Sequence, residues 1–320
     1  MELEVVPRNG YPIDAVWISG IQRQLSLRNI GRNLLFPLKL ITSLVQAQRI
    51  LSRHRPVAVV GTGGYASSPL GRAAARRGIP LFLCEQNAYP GLVNRWLAPH
   101  ATRILLGNAD AARYFDAAKT VITGNPIRRF DLPDPAQGRV ALGLDPAKPT
   151  VLSLGGSLGA LRLNQALEAQ RHLLLDAGVQ LIWQCGKRYY PELRDRIAPH
   201  PGLRLMPFIE DMAGAYAAAD LIISRAGGST ISELIALSKP SVLVPSPNVA
   251  EDHQTKNARS LSDPGAAVLV LDAEATDKLV PETLAILQHP TRLAALRQAI
   301  AGMDKHEADR EIVDEIFKHL

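Results

Sequence analysis

Residues 220–233, which read DLIISRAGGSTISE, are the most informative about the fold. A short apolar run is followed by a glycine pair and then by the polar start of a helix. The same order occurs at residues 56–65, PVAVVGTGGY, and at residues 150–160, TVLSLGGSLGA. Strand, glycine turn and helix in alternation predict parallel sheets with helices on both faces.

The length and the spacing of these units indicate two domains. The chain has 320 residues, enough for two domains of about 150 residues each. Further short apolar runs predict strands at residues 80–84, 179–184, 203–206, 241–245 and 267–270. We therefore predict an α/β protein with two doubly wound, Rossmann-like domains and a cleft between them.

The domain boundaries follow from a change in composition. Residues 129–149 are rich in proline and charge, which is typical of a linker. This divides the chain into an N-terminal domain (1–128), a linker (129–149) and a C-terminal domain (150–304). A last helix at 305–320 is expected to pack back on the N-terminal domain.

The first 53 residues predict two short extended pieces and one helix. Residues 3–7 and 13–18 are predicted to be short extended pieces, and residues 32–53 a helix interrupted early by Pro37. The apolar side chains of this helix favour one of two roles. The helix either packs on its own sheet or docks on anionic lipid, which would be attracted by Lys39, Arg49 and Arg53.

The charge distribution points to an anionic partner. The net charge is +6, but residues 1–140 hold 18 Lys and Arg against 8 Asp and Glu. The N-terminus shows no secretory signal, and no apolar run reaches the roughly 18 residues of a membrane helix. Cys84 and Cys185 are too far apart to suggest a disulfide framework or a zinc site. A reducing compartment and a soluble or peripheral protein are therefore expected, with no metal.

The glycine-rich loops at 61–64, 155–159 and 226–230 favour a nucleotide ligand. Glycine lets the backbone approach a ligand, and the helix N-terminus that follows favours phosphate. Tight turns without a ligand look the same, and neither the Walker A pattern nor the dinucleotide fingerprint is matched cleanly.

Two stretches supply polar side chains for such a ligand. Glu233 either accepts hydrogen bonds from a ribose diol or completes a capping box, with Ser229 or Thr230 as the cap. Gln254 and Asn257 could bind sugar hydroxyls, because an amide both donates and accepts.

The motifs resemble those of one family over essentially the whole chain, in order and in spacing. They are residues 83–98 (LCEQNAYPGLVNRWLA), 124–128 (GNPIR), 155–160 (GGSLGA), 207–212 (PFIEDM) and 224–257. The chain is similar to the MurG family of N-acetylglucosaminyltransferases, which make lipid II in peptidoglycan synthesis.

The resemblance implies a GT-B fold and an inverting transfer without a cofactor. The donor is UDP-N-acetylglucosamine, and the acceptor is undecaprenyl-diphosphate-linked muramyl-pentapeptide. It implies a peripheral protein at the cytoplasmic face of the inner membrane, bound to an anionic surface and not to nucleic acid. In the donor site, the backbone of Ile209 would contact the uracil, Glu233 the ribose, and Gln254 and Asn87 the sugar. The diphosphate would lie near Ser157, Arg225, Gly228, Ser229 and Thr230. Arg128, Ile231 and Ser232 would also lie at the donor.

The chain also departs from the family. Family members begin with a glycine-rich loop that ends in His, and this sequence has no such loop. We therefore expect an incomplete N-terminal domain with weak or no activity. The alternatives are a misassigned start codon, a truncated chain, or a degraded paralogue that is not catalytic. The base candidates that are left are Glu85 and Tyr65. The motif order disfavours another GT-B glycolipid glycosyltransferase and a UDP-N-acetylglucosamine epimerase.

Overall fold

The computed structural model describes residues 2–20, 34–156 and 158–320. Its strands are β1 Val59–Gly61, β2 Leu81–Glu85, β3 Arg103–Leu106, β4 Thr120–Ile122, β5 Thr150–Leu154, β6 Gln180–Gln184, β7 Leu203–Met206, β8 Leu221–Ser224, β9 Ser241–Leu243 and β10 Ala267–Leu269.

The α-helices alternate with these strands over most of the chain. They are α1 Glu2–Arg8, α2 Phe36–His54, α3 Ser67–Arg76, α4 Leu92–Leu97, α5 Pro135–Ala141, α6 Leu161–Asp176, α7 Tyr190–Arg196, α8 Met212–Ala218, α9 Gly228–Ala236, α10 His253–Ser262, α11 Ala275–Gln288, α12 Pro290–Ala301 and α13 Ala308–Phe317. Among the described residues, no helix has both the length and the apolar character needed to cross a membrane.

The chain forms two compact units. The first unit comprises Met1–Gln86, Pro90–Thr123 and Arg310–Leu320, and the second comprises Asn87–Tyr89 and Gly124–Asp309. Strands β1 to β4 are parallel and pair in chain order, and β5 to β10 form a second parallel sheet. The prediction of an α/β fold with two parallel sheets is confirmed.

The two faces of the first sheet are covered by different parts of the chain. Leu83 and Ile104 face a core that α2, α3 and α4 complete. On the other face, Phe82 lies edge-on to the ring of His319, with 6.3 Å between the ring centroids. Arg103 Nε lies 3.0 Å from Glu315 Oε1 in α13, so the end of the chain closes this face.

The second sheet has a hydrophobic core on each face. Val151 and Trp183 lie in one core, and Leu152 and Ile182 lie in the other. Side chains of a strand alternate between faces, so consecutive apolar residues fill both cores. This explains why β5 and β6 are apolar without alternation.

Two segments differ from their sequence predictions. The extended prediction for residues 3–7 is wrong, because they lie in α1, where Leu3 and Val5 are exposed and no strand pairs with them. Residues 135–141 of the predicted linker form α5 in the second unit. The Asp134 side chain accepts from the backbone N–H of Ala136 at 2.9 Å and so caps this helix.

Candidate active site

The candidate binding edge of the second sheet is the point where its strand order changes direction. The order is β10-β9-β8-β5-β6-β7, so β5 and β8 are neighbours from which later strands extend in opposite directions. Ligands of open parallel sheets bind outside the carboxyl ends of the strands at such a switch point. The loops at 155–160, after β5, and at 225–227, after β8, are therefore the candidate site.

The loop after β5 packs closely against the backbone that follows β6. A Cβ at Gly159 would lie 2.2 Å from the carbonyl oxygen of Cys185, and Gly159 has φ of +81°. The fold itself therefore requires this glycine. A Cβ at Gly156 would have no neighbour within 4 Å, so that part of the loop lies open. Ser157, predicted near the diphosphate, lies outside the described residues.

Helix α9 begins at the switch point with a first turn that no side chain caps. Gly227 occupies the N-cap position and offers no side-chain hydrogen bond. The first backbone N–H groups of a helix lack partners within the helix and attract anions. Gly228, Ser229 and Thr230 form this turn, so the structure does not support the helix-cap interpretation and leaves the turn suited to phosphate.

The next two residues of α9 fix the helix in place. Ile231 is buried in the core, so it presents only its backbone to the turn. The Ser232 hydroxyl donates to the carbonyl of Gly228 at 3.1 Å and accepts from the amide of Asn125 at 2.9 Å. These contacts tie α9 to the segment that follows β4.

Glu233 is held by a buried tyrosine. Tyr216 is 0% exposed, and its hydroxyl donates to Glu233 Oε2 at 2.6 Å. Burial raises the pKa of Tyr216 well above its ordinary value, and the hydrogen bond to Glu233 raises it further. Tyr216 therefore stays a protonated donor, which orients the partly exposed carboxylate that the sequence assigns to the ribose.

The predicted uracil contact, Ile209, is a core residue. Its side chain is buried in the second core, so only its backbone is suited to a ligand. The adjacent Phe208 is 44% exposed, with Lys187 Nζ 5.8 Å from its ring centroid. This exposed ring is a flat apolar surface next to the predicted base contact.

Gln254 lies at the start of α10, behind a loop with unusual backbone geometry. Its side-chain oxygen accepts from the backbone N–H of Ser246 at 2.8 Å. Its amide NH₂ has no partner among the described residues. Glu251 and Asp252 both adopt left-handed backbone angles, with φ of 61° and 51°. Two such residues in succession are strained, which is frequent where a loop forms a binding site.

Asn257 has a structural role in this unit. It is 1% exposed, and its Oδ1 accepts from the backbone N–H of Ala88 at 2.8 Å. Its Nδ2 donates to Asn87 Oδ1 and to the carbonyl of Ala226, both at 3.0 Å. With both amide protons used, Asn257 holds Asn87 beside the loop after β8 and has none left for a sugar.

The two arginines predicted to lie at the donor differ in their surroundings. Arg225 is part-buried and pairs with Asp272, with 2.5 Å between Nη1 and Oδ1. Arg128 is exposed and has no ion-pair partner among the described residues. Arg225 is therefore fixed at the switch point, and Arg128 is not fixed.

The two base candidates lie in the first unit. Glu85 is the last residue of β2, and Tyr65 follows β1. Glu85 is buried, and its Oε2 accepts from the backbone N–H of Gly91 and from Asn94 Nδ2, both at 2.9 Å. These contacts orient its own loop. Tyr65 is 61% exposed and lies against Gly20. Neither contact tests catalysis, so both assignments stay predictions.

The sequence did not predict the partners of the two charged residues assigned to the sugar donor. These partners are Tyr216, which contacts Glu233, and Asp272, which contacts Arg225. Asp272 could have been found, since it follows β10 and the carboxyl ends of parallel strands share one edge. Tyr216 lies in a helix that is buried almost throughout, and no local pattern distinguishes its role.

Each of the two units holds a parallel sheet flanked by helices, which is the architecture of GT-B glycosyltransferases. The chain belongs to glycosyltransferase family 28. Residues 1–106 match the family's N-terminal domain, and residues 150–316 match its C-terminal domain.

Curated relatives agree with this placement. A protein of Cytophaga hutchinsonii is 42% identical over 99% of this chain and 85% of its own length. One of Porphyromonas gingivalis is 42% identical over 99% of this chain and 84% of its own length. Both are named UDP-N-acetylglucosamine–N-acetylmuramyl-(pentapeptide) pyrophosphoryl-undecaprenol N-acetylglucosamine transferase.

Solved structures show the same fold. MurG of Acinetobacter baumannii superposes with a TM-score of 0.75 at 30% identity, covering 99% of this chain and 88% of that one. A UDP-GlcNAc 2-epimerase of Neisseria meningitidis has a TM-score of 0.60 at 13% identity, covering 93% and 83%, and shows the fold alone.

Proposed function

We propose that this protein transfers N-acetylglucosamine from UDP-N-acetylglucosamine to undecaprenyl-diphosphate-linked muramyl-pentapeptide. The reaction is a step of peptidoglycan synthesis, on which cell shape and division depend. The observation that carries the proposal is the Glu233 carboxylate, held by Tyr216 on a helix whose uncapped first turn lies at the switch point. The names of the relatives at 42% identity support the same substrates.

The donor is assigned by the chemistry of each group. The Glu233 carboxylate can accept from both hydroxyls of a ribose. The open turn at Gly228 to Thr230 and the Arg225 guanidinium can neutralise a diphosphate. The free amide NH₂ of Gln254 can donate to a hydroxyl of the sugar. Together these groups match a nucleoside diphosphate sugar.

The transfer inverts the anomeric carbon. The C4 hydroxyl oxygen of the acceptor forms a bond to that carbon, the bond from the carbon to the diphosphate oxygen breaks, and UDP leaves. The hydroxyl proton goes to a base, for which Glu85 and Tyr65 are the candidates in this chain. The charge that grows on UDP is stabilised by the α9 N-terminus and Arg225.

The acceptor is a lipid, and helix α2 is suited to a membrane surface. Leu38 and Ile41 are 54% and 62% exposed, and Val45 is exposed one turn further. These positions lie on the face opposite to Ala47 and Leu51, which are buried. An apolar stripe on the solvent side of a helix is costly unless something covers it.

The charge around this stripe favours an anionic lipid surface. Arg49 and Arg53 on α2 and Arg55 directly after it are exposed. Apolar side chains beside basic ones are typical of a helix that lies in the membrane interface. We place the protein at the cytoplasmic face of the inner membrane, with α2 toward the lipid.

The transfer is tested by incubating the protein with radiolabelled UDP-N-acetylglucosamine and the lipid acceptor. Label should pass to the lipid, and Glu233→Ala should lower transfer by at least about tenfold, because the ribose contact is lost. Glu192→Ala, an exposed glutamate on α7, is the matched control and should change nothing. No transfer by the parent, or equal transfer by both variants, would count against the proposal.

The membrane face is tested separately by vesicle sedimentation. Leu38→Gln with Ile41→Gln should release the protein from vesicles that contain phosphatidylglycerol. Val140→Gln, at an equally exposed position in the second unit, should not. A parent that does not bind such vesicles at low salt would contradict this part and leave the donor assignment standing.

A further inference from the structure

A line of three charged side chains lies along the carboxyl edge of the second sheet. Arg225 follows β8, Asp272 follows β10, and Arg162 is the second residue of α6, after the loop of β5. Strands β10, β9, β8 and β5 are consecutive in the sheet. The three residues therefore span the switch point.

The contacts leave Arg225 held on one side only. Its Nη1 lies 2.5 Å from Asp272 Oδ1 and donates to the carbonyls of Val244 at 3.0 Å and Pro245 at 3.2 Å. Its Nε and Nη2 have no acceptor in the part of the chain that the structure describes. The guanidinium fork keeps one edge suited to a bidentate contact with phosphate oxygens.

Asp272 reaches the second arginine with its other oxygen. Arg162 Nε lies 3.6 Å from Asp272 Oδ2, with Arg162 42% and Asp272 16% exposed. Two guanidinium groups against one carboxylate leave a surplus of one positive charge at this edge. The carboxylate therefore orients the arginines without cancelling their attraction for an anion.

We infer that Asp272 is a positioning residue for the diphosphate of the donor, acting through Arg225. This rests on the proposed function, because it takes the diphosphate to lie at the switch point. A guanidinium that is only 20% exposed needs acceptors for its protons. Two carbonyls and a carboxylate accept from Nη1, which leaves Nε and Nη2 for a further acceptor.

Charge and orientation make opposite predictions for the loss of Asp272. Removing a negative charge raises the local positive potential and should strengthen diphosphate binding. Removing the acceptor frees Arg225 to rotate and should weaken it. Asp272→Asn removes the charge but keeps an oxygen in place, whereas Asp272→Ala removes both, so the pair of variants separates the two effects.

The experiment is titration calorimetry of the full chain with UDP and with uridine, which lacks the diphosphate. Asp272→Ala should weaken UDP binding about tenfold, as Arg225→Ala should, and leave uridine binding unchanged. Asp272→Asn should retain affinity for UDP within about threefold. Glu168→Ala, which breaks the ion pair between Glu168 on α6 and Arg196 on α7, is the matched control and should bind UDP as the parent does.

Urea unfolding of each variant establishes that the protein is folded in the titration. Equal affinity of Asp272→Ala and the parent for UDP would overturn the inference, and so would equal effects of the Asn and Ala variants. If Arg225→Ala alone weakens binding, the proposed function stands and the role of Asp272 is wrong. A parent that binds UDP no better than uridine would overturn both.

Discussion

The hydrogen bond from Tyr216 to Glu233 gives the sharpest prediction, and Tyr216→Phe tests it. The change removes one oxygen and keeps the ring, including its edge contact with Phe130 at 5.2 Å between centroids. No cavity larger than a hydroxyl is left. The effect therefore reports the hydrogen bond and not a loss of packing.

The magnitude follows from the contact. A hydrogen bond to a charged group contributes about 1.5–3 kcal/mol. Tyr216 is fully buried, but Glu233 is partly exposed, so water replaces part of the lost contact. We expect the free energy of unfolding to fall by about 1–2 kcal/mol. Once the carboxylate is free to rotate, affinity for UDP should fall about three- to tenfold.

The assay combines urea unfolding with titration calorimetry of UDP and 2′-deoxy-UDP. The variant should lose less affinity for the deoxy ligand, because that ligand has one hydroxyl fewer for Glu233. Tyr190→Phe is the control, since the Tyr190 hydroxyl has no hydrogen-bond partner among the described residues, and it should lie within about 0.5 kcal/mol of the parent. An unchanged unfolding free energy together with unchanged UDP affinity would show that the Tyr216–Glu233 hydrogen bond has neither role.

Three further predictions concern stability and reactivity. Burial lowers the pKa of Lys239 to about 8, whereas the unfolded chain keeps that proton to about pH 10.5. Stability should therefore rise between pH 8 and 10.5, by about 1–2 kcal/mol after solvent screening, relative to Lys239→Met. A difference in unfolding free energy between the parent and Lys239→Met that stays constant from pH 8 to 10.5 would contradict this. Asn257→Ala leaves the N–H of Ala88 and a carbonyl without partners, so it should lower the unfolding free energy by about 3 kcal/mol in the same assay. Burial raises the pKa of the Cys84 and Cys185 thiols to about 11. Labelling by a disulfide reagent at pH 8 should therefore be roughly 100-fold slower than in urea, and equal rates would argue against buried thiols.

The sequence predicts the fold well where the apolar runs are long and bounded by glycine. The strand predicted at 179–184 is observed as Gln180–Gln184, and the helix predicted after the glycine pair at 227–228 begins at Gly228. Residues 3–7 have a strand-like composition, but a strand needs a partner, and α1 satisfies its hydrogen bonds locally instead. Asp134 followed by Pro135 is a sequence pattern typical of a helix start, and α5 begins there. The many prolines of the segment favoured the linker prediction instead.

The candidate site also contains residues that the sequence predicts and residues that it does not. The position of Glu233 on a helix after a glycine loop follows from local pattern alone. Its partner Tyr216 lies 17 residues away, and Asp272 lies 47 residues from Arg225. The pairing of Tyr216 with Glu233 depends on how two helices pack, which no local pattern encodes. The pairing of Asp272 with Arg225 follows only after β8 and β10 are assigned to one parallel sheet.

The proposed function requires that the carboxyl edge of the second sheet binds UDP-N-acetylglucosamine. Titration calorimetry of the full chain with UDP-N-acetylglucosamine, UDP-glucose and GDP-mannose tests it most directly. We expect the tightest binding for UDP-N-acetylglucosamine, at least about tenfold tighter than for GDP-mannose, with Glu233→Ala removing most of that difference. Tighter binding of the purine nucleotide sugar, or affinity for UDP-N-acetylglucosamine that Glu233→Ala leaves intact, would contradict it.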